Sequence, residues 1–234
     1  MRPVRFPSPL IPGWLIRRYK RFLADVRLTD GRLVTAHCPN SGSMLGCKEP
    51  GSPVYLSHHP DAGRRLAWTW EMIRVGRSWV GINTLWPNRL VVDAIEDGTL
   101  GELQGYAQIR REVRVSPRSR LDLLLEGTNG RCWVEVKNVT FRAGDLAAFP
   151  DAVTERGTKH LRELVRLTRR GQRAALVFVV QRGDCPAFRP TDEIDPEYYR
   201  WLRRALDAAV EVLPYQARVT PRGIRLVRRL PLVL

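Results

Sequence analysis

Two short apolar runs, residues 121–125 (L-D-L-L-L) and 132–136 (C-W-V-E-V), each carry one carboxylate and are separated by the glycine-containing stretch 126–130. Apolar runs of this length bounded by turn residues read as buried strands. Side chains alternate along a strand, so Val134 and Val136 point to a core while Trp133, Glu135 and Lys137 share the opposite face. Asp122 lies on the preceding strand of the same apparent hairpin, and a one-residue choice of register sets it beside Glu135. Two adjacent carboxylates repel and raise each other's pKa unless a cation lies between them. Mg²⁺, or Mn²⁺, answers that need, because a hard ion takes oxygen ligands and usually one or two carboxylates plus water and phosphate. Asp122, Glu135 and the backbone carbonyl of Val136 are the candidate ligands. Lys137 is the group expected to orient a water or to neutralise charge developing on a phosphoryl oxygen.

The residues around this hairpin divide the chain into two textures. Over 1–82, period-two alternation in 21–28 puts Phe22, Ala24, Val26 and Leu28 on one face, Asp30-Gly31 marks a hairpin turn, and 32–37 returns. Strands at 54–57, 66–75 and 78–82 follow, with Trp68, Trp70 and Trp79 read as core. About five short strands suggest a small closed barrel such as an OB-fold, with a small open sheet as the alternative. Over 83–234 the pattern predicts helices at 87–96 and 100–108, then strands at 112–115, 121–125 and 132–136. A helix at 158–170, a buried strand at 174–181 and a helix at 196–210 complete it. The last helix opens with Asp195 as N-cap, Pro196 in the first turn and Glu197 favourable to the dipole. This order implies a mixed α/β sheet with helices on both faces.

The charge balance points to a polyanion. Lys and Arg number 39 against 24 acidic residues, a net +15, and self-repulsion on that scale opposes compactness unless a partner offsets it. Only four of the cations are lysines (Lys20, Lys48, Lys137 and Lys159). Compositional drift toward arginine leaves lysine where a compact charge with a tunable pKa is needed. No apolar run approaches the ~20 residues of a membrane span, and neither terminus carries a polybasic amphipathic anchor. Residues 1–14 lack the apolar core of a secretory signal, which points to the cytoplasm. Cys38, Cys47, Cys132 and Cys185 form no C-x-x-C pair and are expected to be free thiols. The oligomeric state is open, a homodimer among the options.

The pattern D-x₁₂-E-x-K resembles the PD-(D/E)xK nuclease superfamily, with Leu121 where that superfamily has proline. The chain more closely resembles the sugar fermentation stimulation protein (SfsA) family. The stretches that carry the likeness are Lys20-Arg-Phe-Leu-Ala-Asp-Val, His37-Cys-Pro-Asn-Ser-Gly-Ser-Met, Asn83-Thr-Leu-Trp-Pro-Asn-Arg, Ser119-Arg-Leu-Asp, Val134-Glu-Val-Lys-Asn-Val-Thr, and Phe149-Pro-Asp-Ala-Val-Thr-Glu-Arg-Gly-Thr-Lys-His-Leu-Arg-Glu-Leu. The resemblance implies an OB-like barrel (1–82) followed by a nuclease-like α/β domain (83–234), and DNA binding with little sequence preference. It also implies a further acidic residue from the helix before the hairpin, for which Glu102 is the candidate. Two functional outcomes are open: a metal-dependent nuclease, or a DNA-binding regulatory protein with an idle nuclease fold.

Two basic groups are the candidate DNA contacts. Arg17, Arg18, Lys20 and Arg21 with Tyr19 mix cations and an aromatic ring, as surfaces that stack bases and follow phosphates do. Phe22 is assigned to the core by its alternation. Lys159, Arg162 and Arg166 recur three or four apart on one helix side, opposite Leu161, Leu164 and Val165, and form a ridge suited to a phosphate backbone. His160 is read as structural.

Overall fold

Alternating burial builds the first unit, in a computed structural model that describes residues 6, 8–60, 63, 65–117, 119–128 and 130–234. Its strands are β1 (Ile11–Tyr19), β2 (Leu23–Leu28), β3 (Leu33–His37), β4 (Pro53–His58), β5 (Trp68–Val75) and β6 (Ser78–Gly81). They run β3-β2-β1-β4-β5-β6, and a parallel pairing of Ala36 with Trp68 and His37 with Thr69 joins β3 to β5. That pairing closes β1 to β5 into a five-stranded, OB-like barrel. Ala24, Val26, Leu28, Val54, Leu56 and Trp70 fill its interior, while Trp68 and Trp79 are half-buried. β1 was hidden in the sequence by Pro12 and Gly13. Gly13 is required there because a Cβ would stand 2.6 Å from the Arg27 carbonyl oxygen. Phe22 does not join the core: residues 20–22 form the β1–β2 turn, and its ring is 49% exposed.

The second unit begins with α1 (Trp86–Glu96), which has a proline in its first turn. There follow β7 (Gln108–Ser116), β8 (Ser119–Gly127), β9 (Gly130–Val139), β10 (Arg142–Ala143), β11 (Leu146–Phe149) and α2 (Glu155–Thr168). The chain continues with β12 (Arg173–Val180), β13 (Phe188–Pro190), α3 (Pro196–Asp207), β14 (Glu211–Thr220) and β15 (Gly223–Arg229). Six strands form one mixed sheet in the order β15-β14-β12-β9-β8-β7, and β10, β11 and β13 form a small second sheet. α1 covers one face through Leu90, Val91, Ala94 and Ile95, against Leu123, Leu125, Val134 and Val136. α2 and α3 cover the other through Leu161, Leu164, Val165 and Leu202, against Leu121, Leu124 and Trp133.

Two helix expectations are corrected. The helix at 100–108 is one 3₁₀ turn, Gly101–Leu103, and Gln108 already belongs to β7. Gly101 and Gly105, the latter at φ +88°, withdraw the backbone support a helix needs. The helix at 196–210 stops at Asp207, and the strands β14 and β15 that follow were not anticipated. All four cysteines are buried free thiols. Among the described residues no helix is long and apolar enough to cross a membrane.

Candidate active site

The β8–β9 ladder runs from Gly127–Gly130 to Leu123–Val134 and stops there. Continued by one step it would set Asp122 opposite Glu135; instead the strands part at that pair. Asp122 turns into the opening, where its Oδ2 accepts the Val136 N–H at 2.8 Å and its Oδ1 accepts Asn88 Nδ2 from α1 at 3.0 Å. Burial first, and then the charge of Glu135, push the Asp122 carboxyl up to about 6, against the pull of those two donors and Lys137. The two carboxylates therefore sense one another across the gap.

Glu135 is 2% exposed, and one of its oxygens is fully engaged. Lys137 Nζ donates to Oε1 at 2.6 Å, and His160 Nδ1 donates to the same oxygen. Burial raises the Glu135 pKa, but these two neighbours outweigh it and hold the group below its ordinary value. Among the described residues Oε2 is buried without any partner. His160 arrives from α2, whose start is fixed by Thr154: its side chain accepts the Gly157 N–H at 3.1 Å. Asp195 joins the two helix starts by accepting from Thr154 N at 2.8 Å and Tyr198 N at 2.9 Å. The Tyr198 hydroxyl is also buried without a partner, and burial followed by the Glu135 charge keeps it well above its usual range.

An unpartnered carboxylate oxygen beside a second, reluctantly ionised carboxylate fits a divalent cation, which would satisfy the first and discharge the second. Among the described residues no group of three or more His, Cys, Asp or Glu side chains gathers at metal-binding spacing, so Asp122 and Glu135 are the two carboxylates that such an ion would meet here. Val136 reaches this pair through its N–H, which Asp122 accepts.

Other expected residues lie elsewhere or are already engaged. Glu102 is held on the far side of the sheet by Tyr215 Oη at 2.6 Å and Arg229 at 3.0 Å, on β14 and β15, and does not join Asp122. The α1 residue that reaches Asp122 is Asn88. Arg17 pairs with Asp25 at 2.7 Å and lies over the Tyr19 ring, whose hydroxyl donates to the same Asp25. Arg18 donates to the carbonyls of Asn40 and Gly42 at 2.8 and 2.9 Å. Arg162 pairs with Glu197 at 2.5 Å and stacks on Trp201; Arg166 pairs with Glu163 at 2.6 Å. Two of the three ridge cations, Arg162 and Arg166, are thus already in ion pairs.

Lys20 and Arg21 remain exposed at the β1–β2 turn, both in the left-handed region at φ +47° and +60°. Lys159 lines a cleft of about 440 Å³ with Arg114, Arg120, Arg156, His160 and one acid, Glu112. Arg114 and Arg120 are directly opposed on β7 and β8, a like-charge pair that costs stability. Sequence reasoning missed this pair because their juxtaposition depends on the register past the β7–β8 turn.

Two family models match this arrangement in turn: an SfsA N-terminal OB domain over residues 16–82 and a sugar fermentation stimulation protein RE domain over 85–223. The chain belongs to the sugar fermentation stimulation protein family. The homolog from Geobacter metallireducens is 61% identical over 232 residues, covering 99% of this chain and all of that protein. The homolog from Geobacter sulfurreducens is 62% identical over 227 residues, 97% of each chain. The solved structure of Pyrococcus furiosus SfsA in complex with Ca²⁺ superposes over the full length of both chains with a TM-score of 0.91 at 31% identity.

Proposed function

We propose that the protein is a cytoplasmic, divalent-metal-dependent nuclease that binds DNA with little sequence preference. The observation that carries this reading is the buried, unpartnered Oε2 of Glu135 beside Asp122, a carboxyl pushed up to about 6, with Lys137 2.6 Å from the other Glu135 oxygen. When bound there, Mg²⁺ or Mn²⁺ supplies a polarised phosphoryl oxygen and an activated water. His160 and Lys137 orient Glu135 so that Oε2 faces the site. Lys137 is also the cation placed to move toward negative charge that develops on the phosphate. Asn88 and the Val136 N–H hold Asp122 in place. Arg114, Arg120, Arg156 and Lys159 line the adjoining cleft and suit a phosphate backbone, whose binding gives affinity without sequence preference. The Ca²⁺ complex of the Pyrococcus furiosus relative is in keeping with a divalent site. Four buried free thiols suit a reducing compartment.

A second reading, DNA binding without cleavage, draws on the lack of a third acidic side chain at the site among the described residues. One assay separates the two. Purified protein is incubated with single-stranded, duplex and branched DNA and with RNA, in Mg²⁺, Mn²⁺ or EDTA. Metal-dependent cutting of any of them supports the nuclease. Salt-sensitive binding with no cutting in any metal leaves the binding protein.

A further inference from the structure

The sheet has two edges, and each carries a directly opposed pair of arginines. The first, Arg114 with Arg120, lines one cleft with His160. The second is Arg218 with Arg225, on β14 and β15. Directly paired residues project from the same face, so these two guanidiniums stand side by side. Arg222 adds a third cation from the two-residue turn that joins the strands, where Pro221 precedes it. Together with Tyr55 of the barrel they line a cleft of about 620 Å³, and no carboxylate is among its described lining residues. Arg218 and Arg222, both exposed, give the mouth of this concavity a positive rim suited to an anion.

We propose that this cleft binds a phosphate group of a nucleic acid backbone, as a contact separate from the one at Asp122 and Glu135. The separation follows from order and register: β14 lies two strands from β9, Glu135 and Val212 share Leu176 as pairing partner, and Arg218 stands six residues further along β14, roughly 20 Å at the usual strand rise. Arginine suits the role, since its planar fork matches two phosphate oxygens at once. Arg218 and Arg222 are exposed, within reach of a passing strand, and Tyr55 offers a half-buried ring and a hydroxyl at the rim. A backbone phosphate is favoured over a free nucleotide because the three cations follow one hairpin and its turn along the sheet edge. The proposal rests on the nucleic-acid half of the reading above and is independent of whether the protein cuts.

The test compares four full-length proteins: wild type, Arg218→Glu/Arg222→Glu, Arg114→Glu/Arg120→Glu, and Arg200→Glu/Arg203→Glu. The last alters two exposed cations of α3 and matches the net charge of the others. Affinity for one labelled oligonucleotide is measured across a salt series, with ATP and pyrophosphate titrated separately by calorimetry. Melting curves establish that each variant is folded, and Arg222→Gln replaces the double variant if that one is not. The far-edge variant is expected to bind at least tenfold more weakly than the α3 control, with a salt slope shallower by about two. Affinity and slope equal to the α3 control, while the Arg114 and Arg120 variant loses binding, overturns the far cleft and leaves the nucleic-acid reading standing. ATP or pyrophosphate binding that vanishes in the far-edge variant, with oligonucleotide affinity like the control's, also overturns it and makes the cleft a free-anion site. A wild type that binds no oligonucleotide at any salt removes both.

Discussion

Glu71 and Glu135 are equally buried, each 2% exposed, and they sit in the two halves of the molecule. Glu71 receives neutral donors on both oxygens: Ser57 Oγ at 2.7 Å on one, Asn83 Nδ2 at 2.8 Å and Trp86 Nε1 at 2.7 Å on the other. These donors come from the barrel, from the connection after it and from the start of α1, so the carboxylate fastens the two units together. Glu135 is met by Lys137 and His160 on one oxygen only, and the other has no partner. The difference teaches how to tell a buried acid that holds a structure from one that awaits a ligand. A saturated carboxylate contributes to folding, while a half-saturated one carries a desolvation cost that a cation can remove.

The largest expected effect breaks the comparison on the Glu135 side. Lys137→Ala should lower cleavage by two to three orders of magnitude, about 3–4 kcal/mol of transition-state stabilisation. Affinity for DNA should stay nearly that of wild type, because non-specific binding sums many phosphate contacts and this lysine is one of 39 cations. Single-turnover cleavage and equilibrium binding on the same oligonucleotide check both halves.

Glu71→Leu tests the other side. It strands three donors in the interface between the units and should cost about 3 kcal/mol by urea unfolding, with metal affinity unchanged. Glu135→Gln should abolish metal binding, and it should also lower stability in metal-free buffer, because Lys137 and His160 lose the charge that holds them.

A third carboxylate sharpens the contrast through pH. Arg182 is 2% exposed and makes a two-bond pair with Asp184, at 2.7 and 2.8 Å, while donating to the Thr140 carbonyl. Burial raises the Asp184 pKa, but Arg182 outweighs it and holds the group below its ordinary value. A depressed carboxylate stabilises the fold above its unfolded pKa, about 4, and that contribution is lost as pH falls through the folded value. Asp184→Asn should therefore cost about 3 kcal/mol at pH 7, with the gap to wild type closing below pH 4. Melting temperatures at both pH values measure it.

The smallest effect concerns the cations that are already paired. Arg162→Ala removes an exposed bridge to Glu197 and should change stability by about 0–1 kcal/mol and DNA affinity by less than threefold. A tenfold loss of binding would return α2 to the DNA interface.

Legibility in the sequence followed the range of the interactions involved. Asp122, Glu135 and Lys137 were legible because strand alternation is local and their apolar flanks fix the faces. The barrel was legible for the same reason in β2 and β3, whose inward residues alternate cleanly. β14 was not, because Pro214 in mid-strand reads as a breaker although its carbonyl accepts the Leu230 N–H. Glu102 was misplaced because two glycines dissolve the helix that would have carried it. Arg162 and Arg17 looked free because the acids that bind them, Glu197 and Asp25, are brought near by the fold. Asn88 gave a faint signal, a short polar side chain in the first turn of its helix. The His160 contact with Glu135 gave none, since it spans 25 residues and two elements.

The central claim is that Asp122 and Glu135 together hold a divalent cation. Calorimetric titration of Mn²⁺ into metal-free wild-type protein and into Asp122→Asn, at pH 7, tests it most directly. A saturable site is expected in the wild type, with uptake of one ion per chain, and its loss in the variant with the fold intact. A wild type that takes up no Mn²⁺, or a variant that binds it equally well, would contradict the claim.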